Sequence, residues 1–139
     1  MRMNKPVSGD IWRYDYLWHW QADVGETEGR KARPITFVTV IIDKTGQTNL
    51  LILPITSSPP APDRKVLEIP QIERRRAGLD DTPLWIILDE YNHDVLETSF
   101  HFNPNEKIGR FSRAFHLKAL KAFAFIAKER LTKRVMRTE

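Results

Sequence analysis

Residues 34–53 read PITFVTVIIDKTGQTNLLIL, and this stretch decides the fold. Residues 34–42 are β-branched or aromatic almost throughout, as expected of a buried strand. The run DKTGQ at 43–47 has the composition of a hairpin turn, and residues 49–53 form a return strand that ends at Pro54. The sequence therefore predicts a β-hairpin in this part of the chain.

Two further strands are predicted outside this hairpin. Residues 11–17 follow a Gly-Asp turn and carry aromatic and aliphatic residues of strand type. Residues 84–88 read LWIIL, an apolar run that indicates a strand packed on both faces or central in a sheet. With the hairpin strands taken as 34–42 and 49–55, we expect one curved antiparallel sheet in which the fourth strand spans 84–89.

The last part of the chain switches to helical spacing. A short helical turn is indicated at 71–77, where Gly78 stops it. Ser112 fits a helix N-cap, and the apolar residues that follow recur at three- and four-residue steps. This pattern predicts an amphipathic helix from 113 to about 133 that packs on the strands. Its contacting side chains are predicted to be Leu117, Leu120, Ala124, Ile126 and Leu131.

The predicted fold class is mainly β, a strongly curved antiparallel sheet or small barrel with a long C-terminal α-helix. The 139 residues fit one domain, 1–139, which divides into a flexible N-terminus at 1–7, a barrel at 8–111 and a C-terminal helix at 112–135. Hydrophobic residues make up 41% and charged residues 29% of the chain, a balance that excludes a wholly disordered protein.

Composition also narrows the chemistry and the compartment. The chain has no cysteine, which excludes disulfides, thiolate metal sites and cysteine nucleophiles and suits a reducing cytosol. No apolar run approaches the roughly 20 residues that span a bilayer, and the N-terminus lacks a secretory pattern. We therefore expect a cytoplasmic protein that does not enter a membrane.

Charge is distributed unevenly along the chain. The net charge is +4, but residues 110–139 hold nine Lys or Arg against two Glu, which leaves the first 109 residues at −3. The basic C-terminal segment has two interpretations, a solvated helix face or a surface that contacts phosphates or an acidic partner. A third function class, docking into a larger assembly through this helix, also stays open.

Several enzyme classes lose support because their motifs are missing. The four histidines show no ligand spacing, so no metal and no cofactor are predicted. The sequence contains no G-x-x-x-x-G-K, G-x-G-x-x-G or G-x-S-x-G pattern. Nucleotide hydrolysis, dinucleotide chemistry and triad hydrolysis are therefore disfavoured.

The loop at 24–34 is the most distinctive segment for function. It places Arg30, Lys31 and Arg33 beside Glu26 and Glu28, between glycines and ahead of a strand. Clustered cations on such a loop suit an oxyanion such as phosphate, since guanidinium offers a bidentate fork. The alternative is an exposed loop joined by weak surface ion pairs.

The order of short motifs adds a resemblance to a known family. The motifs are Gly9-Asp10-Ile11-Trp12, Arg33-Pro34, Leu53-Pro54-Ile55-Thr56-Ser57-Ser58, Trp85 to Glu90, and Ile108-Gly109-Arg110-Phe111-Ser112. Over roughly residues 8–126 this series resembles the MazF/PemK (Kid) family of toxin-like proteins, which have an SH3-like small barrel. The resemblance implies a metal-independent endoribonuclease of a type II toxin–antitoxin system, acting on single-stranded RNA. It also implies a homodimer restrained by an acidic antitoxin protein.

The resemblance assigns roles to individual residues. Arg33 matches the loop arginine that stabilises charge on the phosphorane, and Thr56 matches the turn that holds phosphate or ribose. Asp89 matches the acidic residue after the central strand, a base or a positioning group, and Glu28 joins Arg33 in the chemistry of the MazF branch. Further RNA contacts are expected from Arg30, Lys31, Ser57, Ser58 and Trp20. We expect Arg33, Thr56, Ser57 and Asp89 to converge on one concave face.

Two departures from the family pattern leave a second function open. The Kid branch has an arginine where this chain has Ile87, and a first-loop histidine where it has Glu26 or Thr27. A non-catalytic relative that binds RNA or a protein partner is therefore the alternative. Tryptophans near the N-terminus suit base stacking, although Trp12 is expected in the core and Trp20 fits either environment.

Overall fold

The computed structural model describes residues 5–137, which form a mainly β fold with a C-terminal helix. The strands are β1 (Asp10–Tyr14), β2 (Arg33–Ile42), β3 (Thr48–Thr56), β4 (Val66–Glu68), β5 (Trp85–Ile87), β6 (Glu90–Val95), β7 (Lys107–Arg110) and β8 (Lys133–Met136). The helices are α1 (His19–Asp23), α2 (Gln71–Ala77) and α3 (Arg113–Lys128), with a short 3-10 turn at Leu96–Thr98. The predicted fold class is confirmed at this level.

The eight strands form one sheet in the order β4-β5-β3-β2-β1-β7, and β6 joins β3 to β8. β3 is the strand with the most partners in this sheet, since it pairs with three other strands. One edge pairs with β2, whereas the other pairs with β6 over Asn49–Ile52 and with β5 over Ile55–Thr56. All these pairs are antiparallel, and the β6–β8 pair is parallel.

The predicted hairpin is confirmed as β2 and β3, which pair from Ile42 opposite Thr48. Its turn depends on Asp43, whose carboxylate accepts hydrogen bonds from the Thr45 amide at 2.9 Å and the Thr45 hydroxyl at 2.6 Å. These bonds and one from Asn49 lower the pKa of Asp43 to about 2. Gly46 has a φ of +85°, which glycine adopts without strain.

The apolar strand runs are continuous because both faces of β2 and β3 are covered. Ile35 and Phe37 belong to an aromatic cluster with β1, and Val38 belongs to a second cluster under α3. Trp12 lies at the centre of the aromatic cluster, fully buried, with its ring 5.7 Å from that of Phe37. Trp12 is therefore a core residue, as predicted, whereas Trp85 is only half-buried.

The C-terminal helix differs from its prediction in length and in its buried face. α3 ends at Lys128, not at 133 or 135, because Arg130 adopts a left-handed φ of 59° that terminates the helix. Its buried side chains are Phe115, Ala119, Phe123 and Ile126. Leu117 and Leu131 are instead 41% and 52% exposed. Apolar residues surround much of this helix, and the two phenylalanines bury the larger surface against the sheet.

The segment after α3 is a strand that the sequence analysis did not predict. β8 pairs in parallel with β6, and the Lys133 amide donates to the Asp89 carbonyl at 3.0 Å. Val135 is buried, and Arg137 follows with its guanidinium enclosed by the protein. The prediction of helix up to residue 135 was therefore wrong, since long-range pairing with β6 replaces local helical bonding there.

Strand boundaries also shift at two predicted positions. The strand predicted at 11–17 is β1, which ends at Tyr14, and the strand predicted at 84–89 is the shorter β5. β6 follows it from Glu90 to Val95 and was not predicted. The flexible segment predicted at 1–7 lies partly outside the described residues, which start at Lys5; Pro6 is buried. None of the helices within residues 5–137 has the length and hydrophobicity needed to cross a membrane.

Candidate nucleic-acid interface

Arg33 is the centre of the candidate site and the first residue of β2. Its guanidinium carbon lies 5.0 Å from the centroid of the Trp18 ring, and the side chain is half-buried. Burial lowers the pKa of Arg33 below its ordinary value. The guanidinium forms no hydrogen bond or ion pair with any residue in the range 5–137. Arg33 therefore presents a partly desolvated positive charge whose donors are open to an external acceptor.

Two hollows meet at Arg33, and together they form what we call the groove. The basic hollow, of about 360 Å³, has a polar lining made of Arg13, Lys31, Arg33, Ser57 and Asp80. The aromatic hollow, of about 390 Å³, is lined by Trp18, Trp20, Arg33, Thr56, Ser58, Arg64, Ile87 and the segment 59–61. Both have the size of a binding site for a small ligand or a nucleotide unit.

Three predicted hydroxyl residues reach the groove from the end of β3. The Thr56 hydroxyl accepts a hydrogen bond from the Ser58 amide at 3.1 Å, which bends the chain into a turn. This turn leaves Ser57 and Ser58 exposed, while Thr56 is buried. Ser57 lines the basic hollow, and Thr56 and Ser58 line the aromatic hollow. The structure thus brings all three hydroxyl residues to the hollows that contain Arg33.

Asp89 lies elsewhere, on a neighbouring hollow that it shares with Arg64 and Trp20. The Arg64 fork donates to both Asp89 carboxylate oxygens, with its Nε at 3.0 and 2.9 Å and its Nη2 at 2.6 Å from Oδ1. The Lys65 amide adds a bond at 3.1 Å, and Arg64 also reaches Glu90 at 3.0 Å. Asp89 therefore does not join the hollows of Arg33, because its ion pair with Arg64 keeps it on the other side of that arginine.

Glu28 is also placed away from Arg33. Glu28, Asp15 and His101 each offer one atom that could bind a metal, and these three atoms lie within 4.8 Å of one another. The loop passes so close to the backbone of Asp15 and Tyr16 at Gly29 that a side chain there would collide with their carbonyl groups. Glu28 is therefore not one of the residues that line the groove.

The cluster of Glu28, Asp15 and His101 has the donor types of a metal site, but a cation already lies beside it. The Arg137 guanidinium approaches Asp15 Oδ2 at 3.6 Å and His101 Nδ1 at 3.0 Å. His101 Nδ1 also lies 2.9 Å from Asp15 Oδ2. Arg137 balances the charge of the Asp15 carboxylate, which a metal ion would otherwise need. We therefore interpret the arrangement as an internal ion pair.

Two of the predicted RNA-contacting residues form a second cation–aromatic pair at the edge of the groove. Trp20 is 53% exposed, and the Arg30 guanidinium carbon lies 4.8 Å from its ring centroid. Glu26 holds Arg30 through two bonds of 3.1 and 3.0 Å. Lys31 is exposed and lines both the basic hollow and a third hollow, of about 310 Å³, between Trp20 and Arg33.

Three residues of this region were missed by the sequence analysis. Arg13 lies on β1 opposite Pro34 and lines the basic hollow together with Arg33; its predicted strand gave no sign of this. Asp80 lies two residues after Gly78, where α2 stops, and is the one carboxylate among the described residues that line the groove. Arg64 follows a proline-rich segment. Nothing near it in the sequence indicates that it pairs with Asp89 and Glu90.

Comparison with known proteins gives no assignment. A scan against protein-family models finds no match for this chain, and no curated protein is significantly similar to it.

Proposed function

We propose that this chain is a cytoplasmic, metal-independent endoribonuclease of the MazF/PemK kind that binds and cleaves single-stranded RNA in the groove around Arg33. The observation that carries the proposal is the half-buried Arg33 guanidinium, which has no hydrogen bond or ion pair within residues 5–137 and shares its hollows with Thr56, Ser57 and Ser58. A cation with open donors beside several hydroxyls suits a phosphodiester. We extend the proposal to an SH3-like barrel; its support is that β3 changes partner along one edge, from β6 at Asn49–Ile52 to β5 at Ile55–Thr56.

The charges of the groove support a polyanionic ligand. Arg13 and Lys31 accompany Arg33 in the basic hollow, where Asp80 supplies the one negative charge among the described lining residues. Among the described residues, the ionic contact of Arg13 is a distant one with Glu106, at 3.9 Å, and both side chains are about half exposed. Such an exposed pair contributes little, so Arg13 is free to bind a phosphate as well.

The proposed reaction is an internal transesterification at phosphorus. The ribose 2′-oxygen forms a bond to phosphorus, the bond to the 5′-oxygen breaks, and a 2′,3′-cyclic phosphate and a 5′-hydroxyl result. Arg33 stabilises the negative charge that accumulates on the phosphorane oxygens. Asp80 accepts the 2′-hydroxyl proton in place of Asp89, whose oxygens are held by Arg64, and solvent protonates the leaving 5′-oxygen.

The first experiment incubates purified protein with a long single-stranded RNA in EDTA and follows cleavage with time. We expect cleavage by the wild type, a loss of about two or more decades in rate for Arg33→Ala, and a comparable loss for Asp80→Asn. Arg113→Ala is the matched control, since Arg113 is exposed on α3 and lines neither hollow. Equal rates for Arg33→Ala and Arg113→Ala would contradict the proposal.

A second candidate function, RNA binding without cleavage, is favoured by one observation. Ile87 lines the aromatic hollow at the position where the Kid branch has an arginine, so that position offers no proton donor to a leaving 5′-oxygen. In this case the wild type binds RNA but leaves it intact in EDTA. Arg33→Ala should then weaken binding and lower the slope of log affinity against log salt by about one unit.

We further propose the partners that the resemblance implies, a homodimer and an acidic antitoxin protein. The exposed, basic C-terminal segment supports an acidic partner, since α3 contains Arg113, Lys118, Lys121 and Lys128 and no carboxylate. Light scattering at tens of micromolar tests the dimer, which should appear at about twice the 16.3 kDa chain mass. A mass of one chain would contradict it.

A further inference from the structure

Two tryptophans stand two residues apart at the groove, and each carries an arginine on its ring. Trp18 is fixed, because its ring packs against that of Tyr16 with centroids 5.1 Å apart and planes at 72°. Trp20 is different, since half of its surface is open and it borders three hollows. Trp18 therefore positions Arg33, whereas Trp20 offers an aromatic surface that is exposed to solvent over half of its area.

A surface contact with Arg30 covers part of the Trp20 ring. Arg30 lies over it at 4.8 Å and is largely exposed, with 62% of its side chain open to solvent. Its carboxylate partner, Glu26, lies four residues earlier in the same loop. The Glu26 backbone amide donates a hydrogen bond to the Gln21 carbonyl at 3.0 Å, which holds this residue in place. Exposed ion pairs and exposed cation–aromatic contacts are weak, so this cover can be displaced.

We propose that Trp20 is a stacking platform for an unpaired nucleobase and that Arg30, held by Glu26, is its displaceable cover. This inference rests on the proposed function, because it places the base of an RNA strand whose phosphate contacts Arg33. Stacking of a base on an exposed aromatic ring outweighs the contacts that Arg30 loses. The released Arg30 then pairs with a phosphate of the same strand.

The platform gives the groove its selectivity for single strands. A paired base keeps its faces stacked within the duplex and cannot lie flat on Trp20, whereas a base of a single strand can. Arg33, Arg13 and Lys31 bind phosphate regardless of pairing. Discrimination between single and double strands is therefore a property of Trp20, and affinity for the backbone is a property of the cations.

The test compares two labelled oligomers with the same number of phosphates by fluorescence anisotropy. One is an eight-nucleotide oligouridine that carries 2′-O-methyl groups, so that cleavage cannot occur, and the other is its abasic counterpart. For the wild type we expect binding of the base-bearing oligomer at least tenfold tighter than the abasic one. Trp20→Ala should remove most of this difference and change abasic binding less than twofold, while Trp20→Phe should keep most of it.

The cover gives a second, independent readout. Glu26→Gln releases Arg30 from its partner, and we expect it to tighten binding of the base-bearing oligomer several-fold without loosening the abasic one. Arg33→Ala should weaken the binding of both oligomers by the same factor. If the wild type binds both oligomers equally and Arg33→Ala still weakens both, the stacking platform is overturned and the proposed function stands. If the wild type binds neither oligomer, the proposed function itself fails.

Discussion

Two arginines in this protein lie on aromatic rings at nearly the same distance but have opposite surroundings. The Arg33 carbon Cζ lies 5.0 Å from the ring centroid of Trp18, and that of Arg137 lies 5.3 Å from Tyr14. Arg137 is enclosed and donates to the Asp15 carbonyl at 2.7 Å and to Asn92 Oδ1 at 3.1 Å. Arg33 has no such acceptor within residues 5–137. Internal acceptors make an arginine structural, and open donors make it available to an external anion.

The surroundings of Arg137 show what a satisfied arginine does. Its neighbour Asn92 exchanges hydrogen bonds with the Leu17 backbone, at 2.9 Å to the amide and 2.7 Å to the carbonyl. The Tyr14 hydroxyl donates to Asp94 at 2.8 Å, and burial together with that carboxylate raises the pKa of Tyr14. The network therefore joins β1 and β6 to the residue that follows β8.

The largest expected effect is on stability, from Arg137→Ala. Loss of the guanidinium leaves the Asp15 carbonyl without its donor and removes the cation beside the Asp15 carboxylate, which keeps only the His101 ring among its partners within residues 5–137. We therefore expect the free energy of unfolding to fall by about 3–5 kcal/mol. Urea denaturation measures this change. Arg134→Ala, at an exposed position of β8, is the control and should change stability by less than about 0.5 kcal/mol. A loss below about 1 kcal/mol for Arg137→Ala would show that the network is not structural.

The second prediction concerns the open arginine. Arg33→Lys keeps the positive charge but loses the planar fork, so we expect a cleavage rate about tenfold below wild type, against a hundredfold or more for Arg33→Ala. Both variants should unfold within about 1 kcal/mol of wild type, because no hydrogen bond or ion pair within residues 5–137 is lost and the contact with Trp18 is partly exposed. The EDTA cleavage assay and urea denaturation give the two numbers. Destabilisation as large as that of Arg137→Ala would end the comparison.

A third arginine, Arg64, is intermediate, since it lines the groove but is paired with Asp89 and Glu90. If Asp89 only positions Arg64, Asp89→Asn should cost about 1–2 kcal/mol of stability and change the cleavage rate less than about threefold. Denaturation and the cleavage assay decide the point. A hundredfold loss of rate would restore Asp89 to the role of base that the sequence resemblance suggested.

What could be predicted from sequence follows the range of the interactions involved. The β2–β3 hairpin and α2 with its Gly78 stop were predictable because turn and cap residues lie within a few positions of one another. β8 was not, since its hydrogen bonds go to β6, about 40 residues earlier in the sequence. The pair of Arg64 and Asp89, 25 residues apart, was missed for the same reason. Arg33 was found because the loop carries its cations together.

The smallest predicted effect is a pH dependence of stability that is caused by two histidines, His93 and His116, and not by the arginines. Burial, with a smaller contribution from the charge of Arg134, lowers the pKa of His93 below its ordinary value of 6.5. His93 Nε2 lies 2.8 Å from Asn49 Oδ1, so Nε2 donates there, and Nδ1 is buried without a hydrogen-bond partner among the described residues. A proton on Nδ1 would therefore be unsatisfied in the folded state. Burial lowers the pKa of His116 as well.

Because the unfolded chain binds these protons more readily, the stabilisation is complete above about pH 6.5 and is lost as the pH falls toward the folded pKa. We expect the free energy of unfolding to decline between pH 7 and pH 5.5, by less than the effect of Arg137→Ala, and the decline to be shallower in a His93→Gln, His116→Gln double variant. Urea denaturation at each pH measures both slopes. Arginines keep their charge over this range, so RNA affinity of the Arg33 groove should follow salt and not these histidines. A stability that rises as the pH falls, or equal slopes in the two proteins, would contradict the assignment.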